Sequence, residues 1–254
     1  MVKILKIGGS ILTDKTRAEF PRTGEIKRIA MEITSCPDDL ILIHGAGSFG
    51  HIQAKQYGLK ERFNPKGILE THRSVVRLND LVVEHLDDAG LHPIPVHPLG
   101  NTLLKGGRIE MMETKPILAM LNRGLLPVLH GDVAMDTSNG IEIVSGDQLV
   151  THLAESLNPE VVALGTAADG VIFDGQVLKT VTKETLPRIE SQLGGSRGVD
   201  VTGGMKGKLL ELLRLADKGI ASTIFNAGKA GLVEKVLRCE KVGTRVEGPA
   251  EASR

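Results

Sequence analysis

The chain has 254 residues with 31 basic and 31 acidic side chains, so its formal net charge is zero. That balance excludes a nucleic-acid binder held by an overall positive field, and 41% hydrophobic with 24% charged residues excludes a disordered chain. Two departures from average composition remain: 30 glycines, which serve tight turns and close backbone approach, and 2% aromatics with no Trp, which leaves no base-stacking surface.

Short apolar runs alternate with longer amphipathic stretches. Strands are predicted, in chain order, at Val2–Ile7, Leu40–Ile43, Pro93–Val96, Leu126–Leu129, Val161–Leu164, Val171–Phe173 and Thr223–Phe225. They are rich in Val, Ile and Leu at nearly every position, the pattern of strands buried on both faces. Helices are predicted at Glu70–Ala89, where Val75, Leu78, Val82 and Leu86 share a face and Gly90 is a stop signal, and at Gln148–Leu157 and Met205–Lys218. Leu99–Glu113 reads as a β-hairpin or loop excursion, and Gly-rich Leu193–Gly204 as a mobile loop. This alternation predicts an α/β sandwich with a mainly parallel sheet, as one domain over 1–254 with two lobes. Cys36 and Cys239 lack CxxC spacing and read as unpaired thiols of a reducing compartment. The start Met1–Leu12 is broken by Lys3, Lys6 and a Gly-Gly pair, and no apolar run nears the ~20 residues of a membrane span. A soluble, cytoplasmic protein with no membrane partner is the expectation.

Four glycine-rich turns follow strands or open helices. In Lys6-Ile7-Gly8-Gly9-Ser10 the glycines let backbone N–H groups face an anion and Ser10 adds a hydroxyl donor; taken alone, a plain strand-ending turn fits as well. His44-Gly45-Ala46-Gly47-Ser48-Phe49-Gly50-His51 satisfies G-x-G-x-x-G, but no second strand ends in an acidic residue about 20 positions on, as a dinucleotide fold requires. An anion site at a helix N-terminus stays sound. His44 reads as a packed, hydrogen-bonded side chain. His51, one helical step past the turn, either reaches an anion held there or is a surface histidine.

The third cluster, His130-Gly131-Asp132 with Ser145-Gly146-Asp147-Gln148, places Asp147 at a helix start, as an N-cap or as a carboxylate orienting lysines. The scattered His and Asp lack HxxxH or HExxH metal-ligand spacing. The fourth, Asp200-Val201-Thr202-Gly203-Gly204-Met205-Lys206-Gly207-Lys208, puts lysines in the first turn of a helix, against the macrodipole, which makes sense with a polyphosphate between them. It is not a Walker A loop, because Leu209 stands where Ser or Thr should bind magnesium. Gly165–Gly170 is a turn that could border a base or ribose.

In this order the motifs K-x-G-G-S, the second glycine loop, G-D-x-L, A-D-G-V and T-G-G-M-x-x-K resemble those of the amino acid kinase superfamily, from Lys6 to Lys208. HGAGSFGH, ending in His51, resembles the isopentenyl phosphate kinase family; a fosfomycin-resistance kinase shares that histidine. The resemblance implies a three-layer αβα fold, ATP with Mg2+ bridging its phosphates, a small prenyl phosphate as acceptor, a homodimer, an acceptor lobe at 1–160 and a nucleotide lobe at 161–254. It implies that Lys6, Gly8, Gly9 and Ser10 hold the β- and γ-phosphates, with Gly204 and Lys208 completing that site, and that Lys15 approaches the transferring phosphoryl group. By the same resemblance Ala46, Gly47 and His51 bind the acceptor phosphate, Gly146 borders the acceptor, Asp147 orients the lysines, and Asp169 and Gly170 lie near the nucleoside. An acceptor that is already a phosphate monoester needs no general base, so positioning and charge stabilisation suffice. A small phosphate or phosphonate kinase of the same fold, a dinucleotide-dependent oxidoreductase and a non-catalytic nucleotide sensor are the alternatives.

Overall fold

The computed structural model describes residues 1–36, 39–59, 61–193 and 204–248. In chain order the first half holds β1 (Lys3–Ile7), α1 (Gly9–Leu12), α2 (Thr23–Ile33), β2 (Leu40–His44), α3 (Gly47–Gln56), α4 (Pro65–Asp88), β3 (Pro93–Val96), α5 (Pro98–Asn101), β4 (Thr102–Lys105), β5 (Arg108–Met112) and α6 (Lys115–Leu121). The second half holds β6 (Leu126–His130), β7 (Asp132–Asp136), β8 (Gly140–Val144), α7 (Gly146–Leu157), β9 (Val161–Thr166), β10 (Ile172–Phe173), β11 (Gln176–Val177), β12 (Thr180–Val181), α8 (Leu186–Leu193), α9 (Gly204–Asp217), β13 (Ser222–Asn226), α10 (Leu232–Leu237) and β14 (Thr244–Val246).

The main sheet has eight strands in the order β12-β14-β13-β9-β1-β2-β6-β3, all paired in parallel except β13 with β14. β1, β2 and β6 are buried at every position, as expected for strands covered on both faces. Alternation along β1 sends Ile4 into a core with Leu149 and Leu153 of α7 and Leu209 and Leu212 of α9. Leu5 and Ile7 enter the opposite core, with Ile26 and Ile29 of α2, Leu78 of α4 and Val233 of α10. The result is the expected three-layer αβα sandwich. Fully burying one such Leu or Ile contributes about 1.5–3 kcal/mol, so these two faces hold the sheet in place.

α4 carries its predicted apolar stripe, all buried, starts one turn earlier at Pro65 under an Asn64 cap, and closes where the N–H of Leu91 reaches the Leu86 carbonyl. The Leu99–Glu113 excursion contains the antiparallel hairpin β4–β5, turned by Gly106 and Gly107 at φ 56° and 77°. It joins a second sheet in the order β5-β4-β7-β8. One strand prediction is corrected. Val171–Phe173 does not enter the main sheet; Ile172–Phe173 pairs only with β11 in a short hairpin, where Ile172 is exposed. Helix α2 has no counterpart among the predicted helices, although Ile26, Ile29, Ala30 and Ile33 share one helical face. Residues 194–203 of the predicted mobile loop, including Asp200–Gly203 of the fourth motif, lie outside the described residues. Cys36 is buried and Cys239 exposed, and they form no disulfide. Among the described residues no helix is long and apolar enough to cross a membrane.

Candidate active site

A cavity of about 790 Å³ opens at the carboxyl ends of the central strands, where chain connections diverge to both sides of β1. Its lining includes the turns after β1 (Gly8, Gly9), β2 (Gly45, Ala46, Gly47), β6 (Gly131) and β9 (Thr166, Ala167). Helices α1, α3, α7 and α9 each begin with a glycine, and Gly9, Gly47, Gly146 and Gly204 all line it. Free backbone N–H groups at helix starts attract anions, and three of these helices are long enough to bring a dipole with them.

Two of the glycine turns interlock. A Cβ on Gly9 would sit 2.3 Å from the backbone N of Gly47, and one on Gly47, at φ 53°, would meet the Thr13 hydroxyl at 2.2 Å. The Thr13 hydroxyl donates to the Gly9 carbonyl at 2.8 Å and accepts from the Ser48 N–H at 3.0 Å, fastening the turns together. The G-x-G-x-x-G glycines are therefore used for contact with the first turn, and the segment after β2 continues through α3 and α4 to β3 without an acidic strand end.

Lys6 faces the same side of β1 as Ile4, toward α7 and α9. Its Nζ lies 2.9 Å from Asp147 Oδ1, and Lys208 Nζ lies 2.8 Å from Asp147 Oδ2. Ser145, whose Oγ accepts from the Gln148 N–H, is the N-cap of α7, so Asp147 is left to face the lysines. Burial alone would raise the Asp147 carboxyl; the charges of Lys6 and Lys208 overcome it and hold the group well below the usual carboxylate range. Burial, then the charge of Lys6, pulls the Lys208 ammonium down to about 8 despite the carboxylate. Burial, then Lys6 again, lowers Lys15. Lys6 and Lys208 thus share the Asp147 carboxylate, Lys15 lines the same partly dry cavity, and an incoming anion would relieve the repulsion among the three ammonium groups.

The structure brings Lys6, Gly8, Gly9, Ser10, Lys15, Ala46, Gly47, His51, Gly146, Asp147, Gly170, Gly204 and Lys208 to this one cavity. Asp169 stands apart from the lining. Its carboxylate is held by Lys229 at 2.7 Å and by Asn226 at 2.9 Å. His44 is buried beside Asn79 at 3.0 Å, a packed and bonded histidine as read. The apolar end of the cavity is lined by Val75 of α4, the Val- and Leu-rich helix that reads from sequence as the wall of an aliphatic pocket for a prenyl tail. Ala54 of α3 and Val133, Ile143 and Val144 of the β7–β8 hairpin, which sequence reasoning missed, line it too. The Asn139-Gly140 turn between alternating Ile141/Ile143 and Val133 was the available hairpin signal.

The amino acid kinase family model matches residues 1–226. The isopentenyl phosphate kinase of Methanocaldococcus jannaschii is 36% identical, over 97% of this chain and 99% of that one. That of Methanothermobacter thermautotrophicus is 37% identical, over 96% and 98%. The chain belongs to the amino acid kinase family and, within it, to the isopentenyl phosphate kinases. A solved isopentenyl phosphate kinase superposes with a TM-score of 0.84 at 34% identity, covering 97% of this chain and all of the other. A product complex of the Thermoplasma acidophilum enzyme superposes at 0.79 and 25% identity over 97% of this chain and 100% of that one. N-acetylglutamate synthase from Neisseria gonorrhoeae, at 15% identity and a TM-score of 0.73 over 98% of this chain and 60% of that one, shares the fold. For an isopentenyl phosphate kinase, a cationic centre between glycine turns and an aliphatic recess is the arrangement the chemistry needs.

Proposed function

We propose that the protein transfers the γ-phosphoryl group of ATP to isopentenyl phosphate, forming isopentenyl diphosphate and ADP. One observation carries the reading: Lys6 and Lys208 pair with the Asp147 carboxylate, with Lys15 lining the same cavity, between glycine turns on one side and an aliphatic recess on the other. The acceptor's phosphate oxygen is the nucleophile and needs no base, so catalysis reduces to holding two polyanions in line and stabilising the equatorial oxygens. In this reading Gly8, Gly9 and Ser10 offer backbone and hydroxyl donors to the β- and γ-phosphates, with Gly204 and Lys208 closing that site. Lys15 follows the phosphoryl group as it moves. Lys6 and Lys208, held in register by Asp147, supply the fixed positive field, which costs no reorganisation during the reaction.

Ala46, Gly47 and His51 receive the acceptor phosphate, Gly146 borders it, and the five-carbon tail enters the recess beside Val75, Val133 and Ile143. Residues 1–160 then hold the acceptor and, through Gly8, Gly9 and Ser10, the nucleotide's phosphates, while 161–254 serve the nucleoside, near Gly170. Magnesium would supply charge neutralisation across the nucleotide's phosphates. Among the described residues no group of three or more His, Cys, Asp or Glu could hold an ion. A homodimer in the cytoplasm is the setting the family resemblance implies.

The test is an acceptor panel of isopentenyl phosphate, dimethylallyl phosphate, fosfomycin, UMP and acidic amino acids, followed by ADP release and product mass. Isopentenyl phosphate should give the highest kcat/KM. A higher value for fosfomycin, UMP or an amino acid would refute the proposal.

A further inference from the structure

Lys15 does not sit on a strand or helix. It projects from the segment between α1 and α2, whose ends are tied by the Thr13–Pro21 bridge and by the Asp14 N–H bonding to the Phe20 carbonyl. Within the segment, Asp14 Oδ1 accepts from the Thr16 N–H and hydroxyl, and the Arg17 guanidinium covers the Phe20 ring at 3.5 Å. These contacts lie within the loop. At its first residue the Thr13 hydroxyl accepts from the Ser48 N–H, and at its far end Glu19 fastens it to α3 and α4. Its carboxylate takes a two-pronged bond from Arg77 of α4, from Nε at 3.0 Å and from a terminal nitrogen at 2.5 Å. Gln53 of α3 donates to it at 3.2 Å, and the Ser74 hydroxyl of α4 lies 2.8 Å away. Glu19 holds this position at φ 50°, a left-handed conformation that a glutamate adopts at a cost and keeps only when its surroundings fix it. These bonds lower the Glu19 carboxyl, the Arg77 bond most, so the clamp stays ionised at neutral pH.

The helices that grip Glu19 are the ones that line the acceptor end of the cavity. α3 carries His51 two residues before Gln53, and α4 carries Val75 between Ser74 and Arg77. Glu19 therefore links the loop bearing Lys15 to the walls that would hold the acceptor. We propose that Glu19 is a positioning residue, which through Arg77 holds the Thr13–Pro21 loop so that Lys15 meets the transferring group in register with the acceptor. The proposal rests on the phosphoryl-transfer reading above and adds to it the residue that sets where Lys15 stands.

Glu19→Asn suits the test because Asn tolerates the left-handed conformation, so the backbone is kept while the clamp is lost. Arg77→Met removes the partner from the exposed side of α4. An interaction made mainly in the transition state lowers kcat and leaves KM alone. A misplacement of about 1 Å can cost on the order of a hundredfold. Each variant should therefore lose roughly ten- to a hundredfold in kcat, with both KM values within about twofold of the parent. The double variant should lose no more than either single one, because both remove the same link. Trypsin gives a readout independent of catalysis, since the loop contains cleavage points after Lys15 and Arg17; both variants should be cut there faster than the parent.

Parental kcat in either variant, a rise in KM with kcat unchanged, additive losses in the double variant, or unaltered cleavage would each overturn the clamp. If the parent protein itself fails to phosphorylate isopentenyl phosphate, the functional reading fails instead, and trypsin cleavage still reports whether Glu19 holds the loop.

Discussion

Replacing Lys208 with Met should abolish turnover and make the ligand-free protein more stable. The side chain is buried, and its ammonium has fallen from 10.5 to about 8 even with the Asp147 carboxylate 2.8 Å away. A lysine with a lowered folded-state pKa binds protons less readily in the folded chain than in the unfolded one. Its charge thus opposes folding below the folded value of about 8, and the penalty fades as pH rises from about 8 to 10.5. At about 1.4 kcal/mol per pKa unit the penalty is about 3 kcal/mol at neutral pH, an upper figure because Met packs differently. For a chain of this size that corresponds to a rise of roughly 5–10 °C in Tm. Asp147 keeps Lys6 as its partner, so no buried charge is orphaned. The assay compares melting of both proteins without ligand from pH 7 to 10.5, with ADP release measured alongside. The stability gap should be widest at pH 7 and close as pH rises, while ATP should raise the Tm of the parent far more than that of the variant. A variant that melts below its parent at pH 7, or one that turns over normally, would refute the reasoning.

Much of this site was legible because glycine turns and strand ends leave local marks. Lys6-Ile7-Gly8-Gly9-Ser10, the turn after β2 and the Gly146-Asp147 helix start were all visible, and their order carried the family resemblance. What one sequence could not display is contact between turns. Nothing local to Gly9 says that its missing Cβ makes room for the backbone of Gly47, whereas the S-x-x-Q spacing of Ser145 and Gln148 is a local signal that Ser145 takes the cap and leaves Asp147 free of it. The role of Val171–Phe173 was misjudged because apolar content was read as burial, while Ile172 spends that content on an exposed hairpin at the cavity edge. Zero net charge likewise concealed three lysines from β1, the following loop and α9 that fold into one cavity. Glu19 was invisible for the same reason: its partners lie 34, 55 and 58 residues away.

The remaining expectations follow from the same geometry. His51→Ala should weaken isopentenyl phosphate binding by calorimetry at least tenfold and leave ATP binding within about twofold, as expected for loss of a charge-assisted bond; unchanged acceptor affinity would make His51 structural. Gly9→Ala should lower stability by several kcal/mol, because its methyl would stand 2.3 Å from backbone that cannot swing aside; a denaturant midpoint equal to the parent's would contradict the interlock. Asp147→Asn is the counterpart of the Lys208 change and should move stability the other way. Lys6 and Lys208 would face each other in a buried site without the carboxylate that now lies 2.9 and 2.8 Å from them. Breaking a buried pair from one side costs about 3–5 kcal/mol because the surviving charge is left uncompensated. Part of that cost is escaped if Lys208 sheds its proton, so the variant should also need a lower pH for whatever activity it keeps. Combining Asp147→Asn with Lys208→Met removes one charge of each sign and should recover most of the lost stability with no recovery of turnover. Recovery of turnover in that double variant would mean that neither charge acts on the phosphates.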